Sequence, residues 1–129
     1  MKKLLFLMFL VIASGSIYAQ KSYYVEKTNK RFEQPIADKL VALNKKIATS
    51  KETSNYTIQC IIEDHSSFKS SAKGYIAILD TKTGNVISKS ELAKGVCNLF
   101  NGYTNSRKMV MKKIAKRYLG DILMLVEKY

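Results

Sequence analysis

The sequence predicts an α+β two-layer sandwich: a small antiparallel sheet of three to four strands, covered on one face by two helices. Three observations carry that prediction. Apolar residues recur at helical spacing over residues 32–47, the period changes to two from residue 56, and it becomes helical again from residue 106. A run of strands between two amphipathic helices is most simply built as one sheet with both helices on its apolar face.

Residues 21–31, KSYYVEKTNKR, have no clear period and read either as a short strand or as a lead-in. From there Phe32, Ile36, Leu40, Leu43 and Ile47 share one helical face. Pro35 is tolerated only in a first turn, so a helix is expected from about Pro35 to Ala48. TSKETSN is a polar turn. In NYTIQCIIEDH, Tyr56, Ile58, Cys60 and Ile62 alternate with Thr57, Gln59 and Glu63, as in a strand with one covered face; Ile61 is the exception. HSSFKSSAKG reads as a serine-rich connection. YIAILD and NVISKSEL form a hairpin around TKTG, with Asp80 starting the turn and Gly84 supplying positive φ. AKGVCNLFNGYTNS reads as a loop in which Thr104, Asn105 or Ser106 caps the last helix.

In that last helix Val110, Met111, Ile114, Tyr118, Leu119, Ile122 and Leu125 form the apolar stripe. Arg107, Lys108, Lys112, Lys113, Lys116 and Arg117 are the candidate contact residues for an anionic surface. Lys108, Lys112 and Lys116 succeed one another at i, i+4, and Lys113 lies beside Arg117. Gly120 costs about 1 kcal/mol inside a helix. Two readings follow: the helix bends and continues, or it stops and ILMLV becomes a terminal strand.

The chain opens MKKLLFLMFLVIASGSIYAQ, with two lysines before an apolar run and small residues up to Ala19, the order of a secretory signal peptide. Ser14, Gly15 and Ser16 interrupt the run well short of the roughly 20 apolar residues that a spanning helix needs. The expected organisation is therefore a signal over residues 1–20 and a single α+β domain over 21–129, exported to the periplasm or beyond and not membrane-spanning once the signal is removed. Loss of the signal takes two of the 22 basic residues and none of the 10 acidic ones. The mature domain stays strongly basic, which suits an anionic envelope polymer or lipid, or equally serves solubility. Cys60 and Cys97 are a candidate disulfide in an oxidising compartment, and the alternative is two separately buried thiols.

NYTIQCIIEDH, GYIAILDTKTGNVISKSEL and SRKMVMKKIAKRYL together resemble the carboxy-terminal half of a group of bacterial envelope proteins. The group comprises the curli-secretion lipoproteins, the lipoprotein activators of penicillin-binding proteins and the amino-terminal domain of the Tol-Pal translocation protein. The resemblance covers residues 55–119, with Asp80, Thr83 and Gly84 on the shared turn. It implies an envelope accessory protein that acts by protein contact, without catalytic residues to transfer.

Catalytic chemistry finds little purchase. The lone histidine, His65, has Glu63 and Asp64 beside it; strand parity would let Glu63 share a face with His65 but would put Cys60 on the other, and no remote histidine completes a metal site. No phosphate loop, His-Glu-x-x-His or Gly-x-Ser-x-Gly motif is present. No cofactor and no metal are expected. Asn55-Tyr56-Thr57 fits the glycosylation pattern, which matters only in a eukaryotic secretory pathway. The expected function is that of an exported, non-enzymatic envelope protein that docks on another protein or on anionic envelope material. The alternative is a small secreted hydrolase using Glu63, His65 or Cys97. Nucleic acid would want exposed aromatics among the basic residues, whereas Tyr118 falls on the stripe side. Tyr23, Tyr24, Tyr75 and Tyr103 remain as stacking platforms.

Overall fold

The structure, a computed structural model, describes residues 20–28, 31–66, 71–96 and 106–128, with the backbone alone for 64–66. The signal-peptide expectation, Cys97, Tyr103 and the capping candidates Thr104 and Asn105 fall outside these residues. The strands are β1 (Ser22–Val25), β2 (Lys46–Ile47), β3 (Tyr56–Ser66), β4 (Ser71–Asp80), β5 (Val86–Lys89) and β6 (Ala93–Val96). The helices are α1 (Gln34–Ala42), α2 (Ser106–Ile114) and α3 (Gly120–Glu127), the last two joined by a π-helical turn over Ala115–Leu119 into one rod. No described helix is long and apolar enough to cross a membrane.

The α+β class holds, but the sheet is larger than three to four antiparallel strands and it is mixed. Its order is β2-β1-β3-β4-β5, with β6 also on β4. β1 runs parallel to both β2 and β3. Three additions escape the periodicity for physical reasons. β1 takes up the strand alternative for residues 21–31; it is only four residues long and buries Ser22, Tyr23 and Val25, so it shows no alternation to decide between the two readings. β6 lies where the glycine and small residues of AKGV suggest a loop. Ser71–Gly74, assigned by sequence to the serine-rich connection, instead begins β4.

β5 and β6 share one edge of β4. Ala77 pairs with Lys89 and Gly74 with Ala93, so three residues on one side oppose two on the other. Ser90 manages that mismatch: its N–H bonds Ile76 O at 2.9 Å, and its hydroxyl oxygen accepts the Ile76 N–H at 2.9 Å. The TKTG turn forms as expected. Gly84 has φ +76°, and its N–H bonds Asp80 O at 2.8 Å while Asp80 Oδ1 accepts the Lys82 N–H at 2.9 Å.

α1 ends earlier than Ala48. Asn44 adopts φ +58°, its N–H bonds Val41 O, and the Lys45 N–H reaches back to Leu40 O at 2.9 Å. These two bonds satisfy carbonyls of the last turn in the Schellman pattern, and asparagine tolerates the left-handed position better than most residues. Ile47 consequently leaves the helical face and joins the edge strand β2, 38 % exposed.

The core lies between one face of the sheet and the helices. Ile36 and Leu40 of α1, Ile58, Ile76 and Ile78 of the sheet, and Val110, Met111 and Ile114 of α2 are fully buried there. Each such side chain stabilises the fold by about 1.5–3 kcal/mol relative to exposure. Past Ile114 the buried positions are Ala115, Leu119, Ile122, Leu123 and Val126, while Leu125 is 53 % exposed. Ile114 and Leu119 are five residues apart, one more than an α-helix allows for the same face. The π turn absorbs that extra residue and keeps the apolar stripe on the sheet. Gly120 is helical at φ −57°, so ILMLV continues the helix and the terminal-strand reading is excluded.

α2 comes unusually close to the sheet because its floor has almost no side chains. Ala72 pairs with Gly95 and Gly74 with Ala93 across β4 and β6. A Cβ on Gly95 would sit 2.5 Å from Ser106 O and 2.7 Å from Val110 N, and one on Gly74 would sit 2.4 Å from Ile61 O and 3.3 Å from Val110 Cγ1.

Candidate anion-binding surface

Burial of Val110, Met111 and Ile114 dictates what α2 presents outward. Lys108, Lys112, Lys116 and Arg117 are exposed, and no ion pair engages them among the described residues. Lysines at i, i+4 repel each other by a few tenths of a kcal/mol per pair, so this row is a cost that folding alone does not need.

The six basic candidates do not act alike. Arg107 is half-buried, with its guanidinium carbon 5.7 Å above the Phe32 ring, where it joins the starts of α1 and α2. Lys113 is half-buried, and its Nζ donates to Lys94 O of β6 at 2.8 Å. The outward row is therefore Lys108, Lys112, Lys116 and Arg117. Sequence spacing separates the six only by helical angle; the partners of Arg107 and Lys113 come from α1 and β6.

Two clefts flank the row. The one between α2 and β6, of about 440 Å³, is lined by Lys94, Gly95, Val96, Met109, Lys112, Lys113, Lys116 and Arg117. The other, of about 560 Å³ between α1 and the α2 rod, is lined by Pro35, Asp38, Lys39, Lys108, Lys112, Ala115 and Lys116. Lys112 and Lys116 line both, forming the ridge between them. Lys94, Gly95 and Val96 entered the site unannounced. The alternation of buried Ala93 and Gly95 with exposed Lys94 and Val96 emerges only in the fold, since four residues with the apolar Val96 outward carry no strand signal in the sequence.

Among the described residues, the other candidate positions Cys60, Glu63 and His65 are spread along β3. Glu63 is exposed and sits at a bulge, since the register steps from Ile62↔Gly74 to Asp64↔Lys73. That extra residue shifts the register on which the parity expectation rests: the His65 backbone pairs with Ala72, and that of Cys60 with Ile76. Four strand positions, about 13 Å, still separate the two positions. No group of three or more metal-ligating side chains occurs among the described residues. Burial, followed by the nearby Glu33 and Glu26 carboxylates, pushes the Cys60 thiol up to about 12, which leaves it protonated and a poor nucleophile at neutral pH. Its candidate partner Cys97 lies outside the described residues.

Tyr23 is fully buried and tilts against Tyr56 with ring centroids 5.4 Å apart, so it offers no stacking platform. Tyr75 is half-buried on the other sheet face, with Lys89 Nζ 5.7 Å from its centroid. The Asn55 side chain is already used: Oδ1 accepts the Ser22 N–H at 2.9 Å and pins the start of β1.

No family model matches the sequence, and no curated protein matches it. Solved structures of low sequence identity resemble it. A variant PelC dodecamer from Paraburkholderia phytofirmans superposes with a TM-score of 0.50 at 14 % identity, over 74 % of this chain and 85 % of that one. A candidate lipoprotein from Caulobacter crescentus gives 0.46 at 10 % identity, over 86 % and 93 % of the two chains. A hypothetical protein from Chlamydia trachomatis gives 0.45 at 12 %, over 85 % and 98 %. At 14 % identity the first of these shows a shared fold and nothing more. None of the three belongs to the groups that the hairpin resembles.

Proposed function

We propose that this is an exported, non-enzymatic accessory protein of the bacterial envelope whose α2 row contacts anionic envelope material. The observation that carries the reading is the exposed row Lys108, Lys112, Lys116 and Arg117, without an ion pair among the described residues and held outward on a helical rod that is anchored by a fully buried stripe. The order of the first twenty residues supports export, and the lack of a phosphate loop, His-Glu-x-x-His or Gly-x-Ser-x-Gly motif in the sequence favours binding over catalysis. A rigid ridge with mobile ammonium tips suits a surface or polymer with repeated negative charge.

Charge-neutral replacement tests it. The variant with Lys108, Lys112, Lys116 and Arg117 all changed to Gln leaves the stripe, the Lys113 bond and the Arg107 stack in place. Its affinity for anionic vesicles or cell-wall fragments at low salt should fall at least tenfold, given about 1 kcal/mol per cation at an anionic surface. Unaltered affinity would refute the proposal.

A further inference from the structure

The two clefts beside the ridge differ in chemistry. Five cationic residues, Lys94, Lys112, Lys113, Lys116 and Arg117, surround the α2–β6 cleft, and no carboxylate lines it among the described residues. Its remaining lining is Gly95, Val96 and Met109. Val96 is 40 % exposed and Met109 half-buried, so both add apolar surface to the lining that the cations share. The α1–α2 cleft instead contains Asp38 and has Pro35 and Ala115 as its apolar lining. A soluble polyanion gains nothing from an apolar floor, whereas an amphiphile with an anionic head gains from both parts. Its volume of about 440 Å³ is also within the range of small-molecule sites.

We infer that the α2–β6 cleft takes an anionic phospholipid from a membrane surface. The phosphate sits among Lys112, Lys116 and Arg117, and the upper part of one acyl chain lies on Met109 and Val96. Lys113 stays on Lys94 O and fixes the spacing between helix and strand. This inference rests on the anionic-contact reading and narrows it to a lipid.

Two ligands and two variants separate the inference from that reading. The ligands are phosphatidylcholine vesicles containing phosphatidylglycerol, and soluble polyphosphate. The floor variant carries Val96→Ser and Met109→Ser; the ridge variant carries Lys112→Gln and Lys116→Gln. The floor variant should bind the vesicles roughly tenfold more weakly, as expected for loss of a few buried methylene contacts, and bind polyphosphate as the parent does. The ridge variant should lose affinity for both. Undiminished vesicle binding by the floor variant overturns the lipid site and leaves the polyanion reading standing; undiminished binding of both ligands by the ridge variant overturns the underlying reading. If the floor variant also loses polyphosphate, Val96→Ser alone, at an exposed position, decides between the same outcomes.

Discussion

Tyr23 and Glu127, 104 residues apart in the chain, are joined by a hydrogen bond of 2.9 Å from the buried phenol to the Glu127 carboxylate. Lys45 Nζ donates to the same carboxylate oxygen at 2.6 Å. The contact ties the last turn of α3 to β1 and to the residue just after the end of α1, so the two ends of the domain close on each other. Burial raises the Glu127 carboxyl, but the Lys45 and Tyr23 hydrogen bonds and the Lys45 charge outweigh it and hold the group below its ordinary value of 4.5. Burial, with the Glu127 bond second, pushes the Tyr23 phenol well above its usual range, so it remains a donor at any physiological pH.

A carboxyl held below its unfolded value contributes stability above that value and loses it as pH falls through the folded one. Urea midpoints of the parent should therefore drop below about pH 4.5 more steeply than those of Glu127→Gln. Tyr23→Phe should cost about 1 kcal/mol at neutral pH, below the range for a bond to a charged group, because the partly exposed Glu127 regains water. Parallel midpoint curves for parent and Glu127→Gln would show that the bond contributes nothing.

The same substitution at two glycines should have opposite signs. Gly95→Ala drives a Cβ into the backbone of α2 and should cost about 1–3 kcal/mol, since neither Ser106 O nor Val110 N can move without lifting the helix. Gly120 has nothing within 4 Å of where a Cβ would stand. Gly120→Ala should raise stability by about 0.5–1 kcal/mol through helix propensity. Chemical denaturation of the two single variants is sufficient to check both.

Deleting Arg117 should be tolerated, with a thermal midpoint within a few degrees of the parent. The π turn would revert to an α turn, and Ile114 and Leu119 would become i, i+4 neighbours on the same face. Inserting one alanine after Gly120 should be severe by comparison, because a rotation of about 100° carries Leu123 and Val126 out of the core. Circular dichroism melts of the pair distinguish this account from one in which the π turn is a local irregularity without consequence.

Asn44→Gly should leave stability within a few tenths of a kcal/mol or improve it, whereas Asn44→Ala should cost about 1 kcal/mol, the penalty of a left-handed conformation for a residue with a Cβ and no local hydrogen bond. Thermal melts at neutral pH read both, and equal midpoints for the two variants would remove the Schellman motif as the reason α1 stops there.

Local periodicity by itself determined the α+β class, the β3–β4–β5 meander with its Asp80–Gly84 turn, and the division of the last helix into a buried stripe and a basic face. Those features depend on contacts within a few residues or on the two periods that separate strands from helices. Tertiary structure decided the rest. β1 and β6 exist because neighbours supply their hydrogen bonds, and their own residues alternate too briefly to show it. Leu125 is exposed and Leu123 buried because packing on the sheet selected a π turn that no residue type announces. Arg107 and Lys113 left the basic face because Phe32 and the Lys94 carbonyl, distant in sequence, came within their reach. The α2–β6 cleft itself arose only where Gly95 let a lysine-bearing helix settle against a strand that the sequence reads as a loop.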